Sequence, residues 1–233
     1  MPFHDIAPNR DAVHPFDLKY GTDTAGYLRP NEIASGGIHD AMNNGYSAVA
    51  PSVFREACRR WRESLPAPAA SIAAYTFVDV GSGKGRALLL AAELPFRKVI
   101  GVESNPELAR IAQRNVERWK RIVRSPSSIR VFQQDALQFH WPRPPLLVFL
   151  NNPFDCELVG RLAEKLSAMG TRGPGLMDLI YVNPGCSDTL IRGGVVKLRW
   201  DAQIRMDEVD RQADPYGADS DRVAAYRMCK KSG

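Results

Sequence analysis

The residue types best suited to ligand chemistry stand in a glycine-rich loop that directly follows a short apolar segment. The segment ends at Asp79 and Val80, residues 81–85 (GSGKG) form the loop, and Arg86 follows it. Glycines at such a turn let backbone N–H groups approach a ligand closely, and a helix that begins there adds its positive end. The pattern predicts a ligand site between a strand and a helix.

Two common uses of a glycine loop fit this one poorly. A P-loop requires GxxxxGK[ST], but Val78 and Gly85 stand where the glycine and the hydroxyl residue are needed, so this ligand class is excluded. A dinucleotide fingerprint, GxGxxG or GxGxxA, requires a small residue where Arg86 stands, because the helix packs closely on the strand there. This second class is weakened but stays open.

Two carboxylates follow the loop at the ends of the next two apolar segments. Glu103 stands 22 residues after Gly81. Nucleotide sites place an acid that accepts hydrogen bonds from the ribose at a similar spacing, about 20 residues on. Asp135 follows the third segment, where a carboxylate can accept a hydrogen bond from an adenine amino group. A third ligand class, S-adenosylmethionine, combines these groups with a cationic amino-acid end that Asp79 can face.

These elements, in this order, resemble the class I S-adenosylmethionine-dependent methyltransferases over residues 75–183, a little under half of the chain. The resemblance is carried by VDVGSGKGR, VIGVESNPELARIAQRN, FQQDA and LLVFLNNPF. It implies S-adenosylmethionine as the cofactor. The cofactor-binding residues that it implies are Asp79, Gly81, Ser82, Gly83, Gly85, Glu103, Ser104, Asp135, Ala136 and Asn151.

The fourth apolar segment ends in the sequence NNPF, where a methyl acceptor should lie. The Asn151 side chain can accept a hydrogen bond from an amine, and Phe154 can stack on a planar or cationic group. The segment resembles the Asn-Pro-Pro-Phe/Tyr motif of methyltransferases that act on amino groups of nucleic-acid bases and glutamine, although Asn152 replaces the first proline. The Asn-Asn pair is similar to that of the non-SET histone lysine methyltransferases. We interpret Asn151, Asn152 and Phe154 as catalytic residues, the alternative being a simple turn with Pro153.

The first 50 residues are rich in turn formers and predict an extended arm with one short helix. The arm segment 20–27 (YGTDTAGY) looks like the amino-terminal arm of some small bacterial class I methyltransferases of unassigned substrate. On this interpretation Tyr20, Thr22 and Thr24 cover the methionine end of the cofactor, and the arm is a lid. The alternative is an ordinary surface turn in which Asp23 caps a helix.

The elements that must position these residues alternate between strands and helices. Strands are predicted at residues 75–80, 98–103, 129–133, 146–150 and 176–182, and helices at 53–65, 84–94, 106–124 and 155–169. Such alternation indicates βαβ units and a parallel sheet buried on both faces. Residues 195–200 and 223–228 predict a closing antiparallel pair. The fold class is therefore α/β: a Rossmann-like, doubly wound, mostly parallel sheet with an antiparallel carboxy-terminal pair and an amino-terminal helical arm.

The composition is that of an ordinary folded protein. The chain has 233 residues, 44% hydrophobic and 24% charged, with a net charge of +5, which fits one domain and excludes a disordered or collagen-like chain. No apolar run approaches the ~20 residues that span a bilayer, and no signal peptide opens the chain, so we expect a cytoplasmic protein without membrane contact. The four cysteines and four histidines lack metal-binding spacing, and we expect unpaired cysteines in a reducing compartment.

Positive charge is concentrated in one segment of the chain. Residues 110–130 hold seven basic residues and one acid, whereas residues 201–222 hold seven acids and three basic residues. A basic stripe on a helix can track nucleic-acid phosphates, but a solvated helix face is favoured here. The stripe consists of Arg110, Arg114, Arg118 and Arg121.

Three functions remain open at the level of the sequence. The favoured one is an S-adenosylmethionine-dependent methyltransferase acting on a small molecule or peptide, with nitrogen as the acceptor atom. The alternatives are a methyltransferase for protein lysine or glutamine or for nucleic acid, and a non-catalytic binding module with this fold. We predict two regions, residues 1–66 as arm, lid and helix and residues 67–233 as the cofactor-binding domain.

Overall fold

The computed structural model of the chain describes residues 13–65, 71–170 and 176–229, so the predicted boundary between residues 66 and 67 lies outside the described residues. The helices are α1 (Pro15–Tyr20), α2 (Pro51–Glu63), α3 (Arg86–Ala91), α4 (Pro106–Ile122), α5 (Cys156–Gly170), α6 (Ser187–Arg192) and α7 (Glu208–Ala213). The strands are β1 (Tyr27–Leu28), β2 (Tyr46–Ser47), β3 (Thr76–Val80), β4 (Lys98–Glu103), β5 (Ile129–Gln133), β6 (Leu146–Asn151), β7 (Met177–Val182), β8 (Val196–Arg205) and β9 (Ser220–Met228).

A seven-stranded sheet carries the fold, with the strand order β5-β4-β3-β6-β7-β9-β8. The first five of these strands are parallel, whereas β9 pairs antiparallel with both β7 and β8. The predicted mostly parallel sheet and its closing antiparallel pair are confirmed. From β3 the chain continues outward through β4 to β5 on one side of the sheet, and then returns to β6 on the other side of β3. The strand order therefore reverses between β3 and β6, and ligands of open α/β sheets bind at such a switch point. In the arm, β1 and β2 form a small antiparallel pair.

Helices cover both faces of the sheet because its central strands are apolar on both sides. Every residue of β3 is buried, and Phe77 packs into one hydrophobic cluster while Val78 packs into the other. The first cluster includes side chains of α2, α3 and α4, and the second includes those of α5 and α6. Alternating side chains of a strand point to opposite faces, so one continuous apolar run builds both clusters. In the described ranges, no helix is long and apolar enough to cross a membrane.

Local capping decides where the helices beside the site begin. The start of α4 is where the sequence predicts it, because Pro106 suits the first helical position and the Asn105 side chain accepts the Leu108 N–H at 2.9 Å. α3 is shorter than the predicted helix 84–94, because Gly85, with a φ of 89°, still belongs to the loop. The pattern does not predict α6 and α7, since each has six residues and therefore too few turns to show helical periodicity.

A buried indole joins α2 to the sheet. Trp61 is 1% exposed, meets the Tyr75 ring edge-on with 5.0 Å between ring centroids, and donates its Nε1–H to Asp178 at 3.0 Å. The same carboxylate pairs with the Arg227 guanidinium of β9, so its charge is balanced inside the protein. This network holds the helix that follows the arm against the strands that carry the site.

We expect Trp61→Ala to lower the free energy of unfolding by about 3–5 kcal/mol, because the substitution leaves a cavity and removes a hydrogen bond to a buried carboxylate. Ile122→Ala, at a side chain that is 59% exposed, is the control and should change stability by less than about 0.5 kcal/mol. Urea denaturation followed by circular dichroism measures both variants. Equal stability of the two would contradict the role assigned to the indole.

Candidate functional site

The glycine loop turns sharply at the carboxyl end of β3. Gly81, Gly83 and Gly85 have φ angles of 68°, 51° and 89°, which residues with side chains rarely adopt. Close packing is a second reason for glycine at two of these positions. A Cβ atom would lie 2.6 Å from Pro153 at Gly81 and 2.3 Å from the Tyr46 ring at Gly83. The loop therefore meets its surroundings through its backbone.

Glu103, at the end of β4, joins the loop to the start of α4. Its Oε2 accepts the Gly83 N–H at 2.8 Å, and its Oε1 accepts the Asn105 N–H at 2.8 Å. Burial raises the pKa of this carboxyl, and the backbone N–H groups oppose the shift. The predicted ribose acid thus lies beside the predicted loop, with its carboxylate held in one orientation.

Asp79 is a buried carboxylate to which no residue in the described part of the chain donates a hydrogen bond. It is 3% exposed and borders the same cavity as Gly81, Gly83 and Glu103. Burial and the nearby charge of Glu103 raise its pKa well above the usual range of an aspartate. Ser82 lines this cavity too, and its buried hydroxyl has no partner among the described residues. Buried polar groups without partners are costly, which makes Asp79 a candidate for binding a cationic ligand group.

Arg86, which departs from the dinucleotide fingerprint, contacts the arm. Its Nε–H donates to Thr24 Oγ1 at 2.7 Å, and its Nη2–H donates to Asp17 Oδ2 at 3.3 Å. Asp17 also accepts hydrogen bonds from the N–H and the hydroxyl of Thr24 and from the hydroxyl of Thr22. All four side chains are buried. The arginine is therefore a clamp that holds the arm on the loop.

Of the arm residues predicted to cover the cofactor, Thr22 and Thr24 belong to this clamp. Thr24 is buried, Tyr20 packs edge-on against Phe16 with 4.8 Å between centroids, and neither lines the cavities around the glycine loop. The contact of these two residues with the cofactor therefore has no support from the cavity linings and stays a prediction. The pair formed by Asp17 and Arg86 satisfies the Thr24 hydroxyl inside the protein.

A different segment of the arm, residues 43–49, covers the site, and no sequence pattern predicts it. We call it the cover segment. Tyr46 lies over Gly83, and its hydroxyl donates to the Thr24 carbonyl at 2.7 Å. Burial raises the pKa of this phenol far above its usual value, so it remains a donor. The available signal is the polar run NNGYS shortly before α2, which has two amides and a phenol but no periodic pattern.

The NNPF turn after β6 contacts the cover segment. The Asn151 side-chain amide donates to the Ser47 carbonyl at 2.8 Å. In the other direction, the Asn44 amide donates to the carbonyls of Asn152 and Phe154, at 3.0 Å each. Asn152 has a φ of 45°, a left-handed conformation that asparagine tolerates better than most residues. NNPF is therefore a turn, and this turn presents Asn151 and Phe154 to the cavity beneath the cover segment.

Three neighbouring cavities lie at this end of the sheet, and residues of the cover segment line all of them. The central cavity, of 60 Å³, is lined by Asp79, Glu103 and Asn151 together with the glycine loop. The β5-side cavity, of 310 Å³, contains Asp135. The β7-side cavity, of 290 Å³, is bordered by the chain between α7 and β9. The site thus extends across the switch point of the sheet.

The β5-side cavity holds the predicted adenine acid. Asp135 accepts the Leu137 N–H at 2.7 Å, and its Oδ2 lies 3.4 Å from Nε2 of His39 in the arm. Ala136 and Ser104 line the same cavity. The structure therefore brings these three predicted residues together, next to the cavity that contains the ribose acid.

The cysteines include one disulfide, so the prediction that all four are unpaired is wrong. Cys156, the first residue of α5, is bonded to Cys186, with 5.1 Å between their Cα atoms. Helices that follow parallel strands begin at the same end of the sheet, which brings the starts of α5 and α6 together across 30 positions of sequence. Cys58 and Cys229 are free. Among the described residues, no group of three His, Cys, Asp or Glu could hold a metal ion.

The basic stripe of α4 lies on the exposed side of the helix. Its four arginines are exposed, and two of them also interact with other residues of the protein. Arg110 pairs with Glu107, and Arg118 donates to the Gly21 carbonyl at 3.1 Å. The buried side of α4 is formed by residues such as Val116 and packs on the first hydrophobic cluster.

The raised pKa of Asp79 predicts how its removal affects stability. A carboxyl with a higher pKa in the folded than in the unfolded state makes stability fall as the pH rises through the folded pKa. We expect Asp79→Asn to raise the free energy of unfolding at about pH 8 by on the order of 1 kcal/mol, with little difference near pH 4. Urea denaturation at several pH values measures this, with the exposed Asp219→Asn as control. A variant less stable than the wild type at the higher pH would refute the assignment.

Comparison with known proteins bears on the fold. Scans against protein-family models and against curated proteins find no match. TrmN from Thermus thermophilus is similar in structure, with a TM-score of 0.51 and 16% identity, over 77% of this chain and 49% of that one, so this chain spans about half of its length. N-methyltransferase NodS from Bradyrhizobium japonicum WM9, in complex with S-adenosyl-L-homocysteine, matches with a TM-score of 0.48 and 16% identity, over 75% of this chain and 86% of that one. The sheet order and the similarity to TrmN show that the chain has the Rossmann-like fold of the class I S-adenosylmethionine-dependent methyltransferases.

Proposed function

We propose that the protein is an S-adenosylmethionine-dependent methyltransferase whose acceptor is a nitrogen atom of a small molecule or peptide. The proposal depends on two polar groups in the central cavity that keep open hydrogen-bonding positions. Within the described chain, the Asp79 carboxylate has no hydrogen-bond donor and Nη1 of Arg86 has no acceptor. Asp79 and Arg86 do not pair with each other, because the described ion pair of Arg86 is with Asp17.

An α-amino acid carries the complementary groups, an ammonium and a carboxylate on one carbon atom. The methionine end of S-adenosylmethionine is such a group, so the central cavity fits it, with Asp79 toward the ammonium and Arg86 toward the carboxylate. An ammonium beside Asp79 lowers the pKa of this carboxyl again. Binding of the cofactor and ionisation of Asp79 are therefore coupled.

The acids of the next two strands fit the nucleoside part of the cofactor. Each oxygen of Glu103 accepts one backbone N–H, and a carboxylate has about four acceptor positions, so two remain for the ribose hydroxyls. Asp135, with Ala136 and Ser104 beside it, would hold the adenine in the β5-side cavity. The order of these residues along the sheet edge follows the order of the parts of the cofactor.

S-adenosylmethionine supplies an electrophilic methyl group, so the residues of the chain need to align the acceptor and exclude water. Asn151 borders both the central and the β7-side cavity, and the Ser47 carbonyl holds its amide N–H. This leaves its Oδ1 to accept an N–H of an amine and to orient the nitrogen lone pair. Phe154 and the cover segment close the central cavity around that position.

The cover segment must shift for a ligand of this size to enter. The central cavity measures 60 Å³, whereas ligand pockets usually measure about 300–1,000 Å³. The hydrogen bonds of Tyr46, Asn44 and Asn151 that hold the segment are each worth roughly 0.5–1.5 kcal/mol. Displacing some of them is within the binding energy of a micromolar cofactor, about 8 kcal/mol.

Isothermal titration calorimetry with S-adenosylmethionine tests the proposal. We expect the wild type to bind and Glu103→Ala to lose at least about tenfold in affinity, because two hydrogen bonds to the ribose are removed. Glu107→Ala, which removes an exposed carboxylate of α4, is the control and should bind like the wild type. Absence of binding to the wild type would refute the proposal, and unchanged affinity in Glu103→Ala would remove the ribose assignment.

A second ligand separates the two ends of the cofactor site. 5′-Methylthioadenosine keeps the nucleoside but lacks the amino acid. Asp79→Asn should therefore weaken the binding of S-adenosylmethionine by about tenfold and leave that of 5′-methylthioadenosine unchanged. An equal loss for both ligands would mean that Asp79 does not face the ammonium.

A further inference from the structure

The β7-side cavity lies next to the reactive end of the site and has a charge pattern of its own. It has a volume of 290 Å³ and shares Asn151 and Arg86 with the central cavity. On the side away from the glycine loop it is lined by Asp214, Asp221 and Asn183. A ligand in this cavity would reach from Asn151 to that acidic side.

The carboxylates that line the cavity differ in whether a basic side chain lies beside them. Asp210 has such a partner, since its Oδ1 lies 3.1 Å from Nε2 of His14. Arg86 is balanced by Asp17. In contrast, neither Asp214 nor Asp221 forms an ion pair with any described residue. The cavity therefore has an uncompensated negative charge on one side.

The hydrogen bonds of these two acids leave one oxygen of each open to a ligand. Asp214 Oδ2 accepts the N–H groups of Tyr216 and Ala218, both at 2.8 Å. Asp221 Oδ1 accepts an amide N–H of Asn183 at 2.8 Å. The other oxygen of each carboxylate has no donor within the described ranges. Burial raises the pKa of Asp221, the Asn183 amide opposes this shift, and the charge of Asp214 adds to it.

Aromatic rings complete this side of the cavity. Tyr27 and Tyr216 both line it and meet edge-on with 5.4 Å between ring centroids. The face of a tyrosine ring attracts a cation, and the attraction grows when the cation is removed from water. Carboxylate oxygens and aromatic rings in one cavity form a binding site for an ammonium group. The contribution of the rings does not depend on the charges of the two acids.

We propose that the β7-side cavity binds the methyl acceptor, and that the acceptor is an aliphatic amine whose ammonium group lies between Asp214, Asp221 and the rings of Tyr27 and Tyr216. The nitrogen that receives the methyl group is a separate, uncharged one at Asn151. The cavity of 290 Å³ holds a small amine or one amine-bearing side chain of a peptide. A phosphate-bearing ligand is repelled by the same acids. The part of the inference that names the ligand a methyl acceptor rests on the proposed function, whereas the binding of an ammonium group does not.

A series of three four-carbon probes tests the inference on the full chain. 1,4-Diaminobutane carries the ammonium groups, 1,4-butanediol is its neutral analogue, and succinate is its anionic analogue. NMR titration of the backbone amides of Asn183, Ala218 and Asp221 locates and quantifies binding without any cofactor. We expect the diamine to shift these amides and to bind at least about tenfold more tightly than the diol, and succinate not to bind.

Matched variants assign the binding to the acids of the cavity. Asp221→Asn removes one charge, and the new amide oxygen can still accept a hydrogen bond from Asn183. This substitution should weaken the binding of the diamine by about tenfold. Asp219→Asn removes the same charge from an exposed residue outside the cavity and should change the affinity by less than about twofold. Equal losses in both variants would mean general attraction by an acidic surface and would overturn the inference, as would a diol that binds as tightly as the diamine.

Titration with S-adenosylmethionine in parallel distinguishes failure of this inference from failure of the proposed function. Binding of the cofactor without binding of the diamine overturns the amine inference and leaves the methyltransferase proposal in place. Binding of the diamine without binding of the cofactor leaves an ammonium site and overturns the methyltransferase proposal. If both ligands bind, the protein saturated with one of them should still bind the other, because they occupy different cavities.

Discussion

The organisation of the site depends on one buried carboxylate. Glu103 accepts backbone N–H groups from the glycine loop and from the residue that caps α4, so the end of β4, the loop and the following helix share one anchor. The cost of burying this charge is offset by N–H groups that a tight turn would otherwise leave without acceptors. Because the loop is held in this shape, the Tyr46 ring packs directly above Gly83, and a side chain at Gly83 would collide with it. The shape of the loop therefore determines where the cover segment lies.

The arm depends on the loop in a second way, through the buried pair of Asp17 and Arg86. The dinucleotide fingerprint has a small residue at the position of this arginine, because there the helix packs directly on the strand. Here the long side chain extends to the arm and gives Asp17 its counter-charge. Breaking such a pair by removing one partner usually costs about 3–5 kcal/mol, so the arm is bound to the domain far more firmly than a surface tail. We therefore expect any movement of the cover segment to be local and to leave the clamp closed.

The sequence made predictable those parts of the site in which local geometry dictates the residue type. The glycines with positive φ, the acid at Glu103 and the proline that opens α4 belong to this group, and so does the alternation that builds the sheet. Tyr46 and the disulfide were beyond prediction because their partners are distant in the chain and no periodic pattern links them. Arg86 shows the difference most clearly. Its departure from a known loop pattern was visible, but its reason, a carboxylate 69 positions earlier, was not.

The distribution of charge explains why net charge is a poor guide to the ligand of this protein. The chain carries +5 overall, yet the arginines of α4 point to solvent on the outer side of a helix, where water screens them. Three acids of the segment 201–222, which carries an excess of acids, line the β7-side cavity, where burial strengthens each interaction. A ligand that enters the cavity meets these three carboxylates, one buried and two half-buried, at short range, whereas distant surface arginines contribute little. The selectivity expected of the protein is therefore for a cation, opposite to what its basic composition suggests.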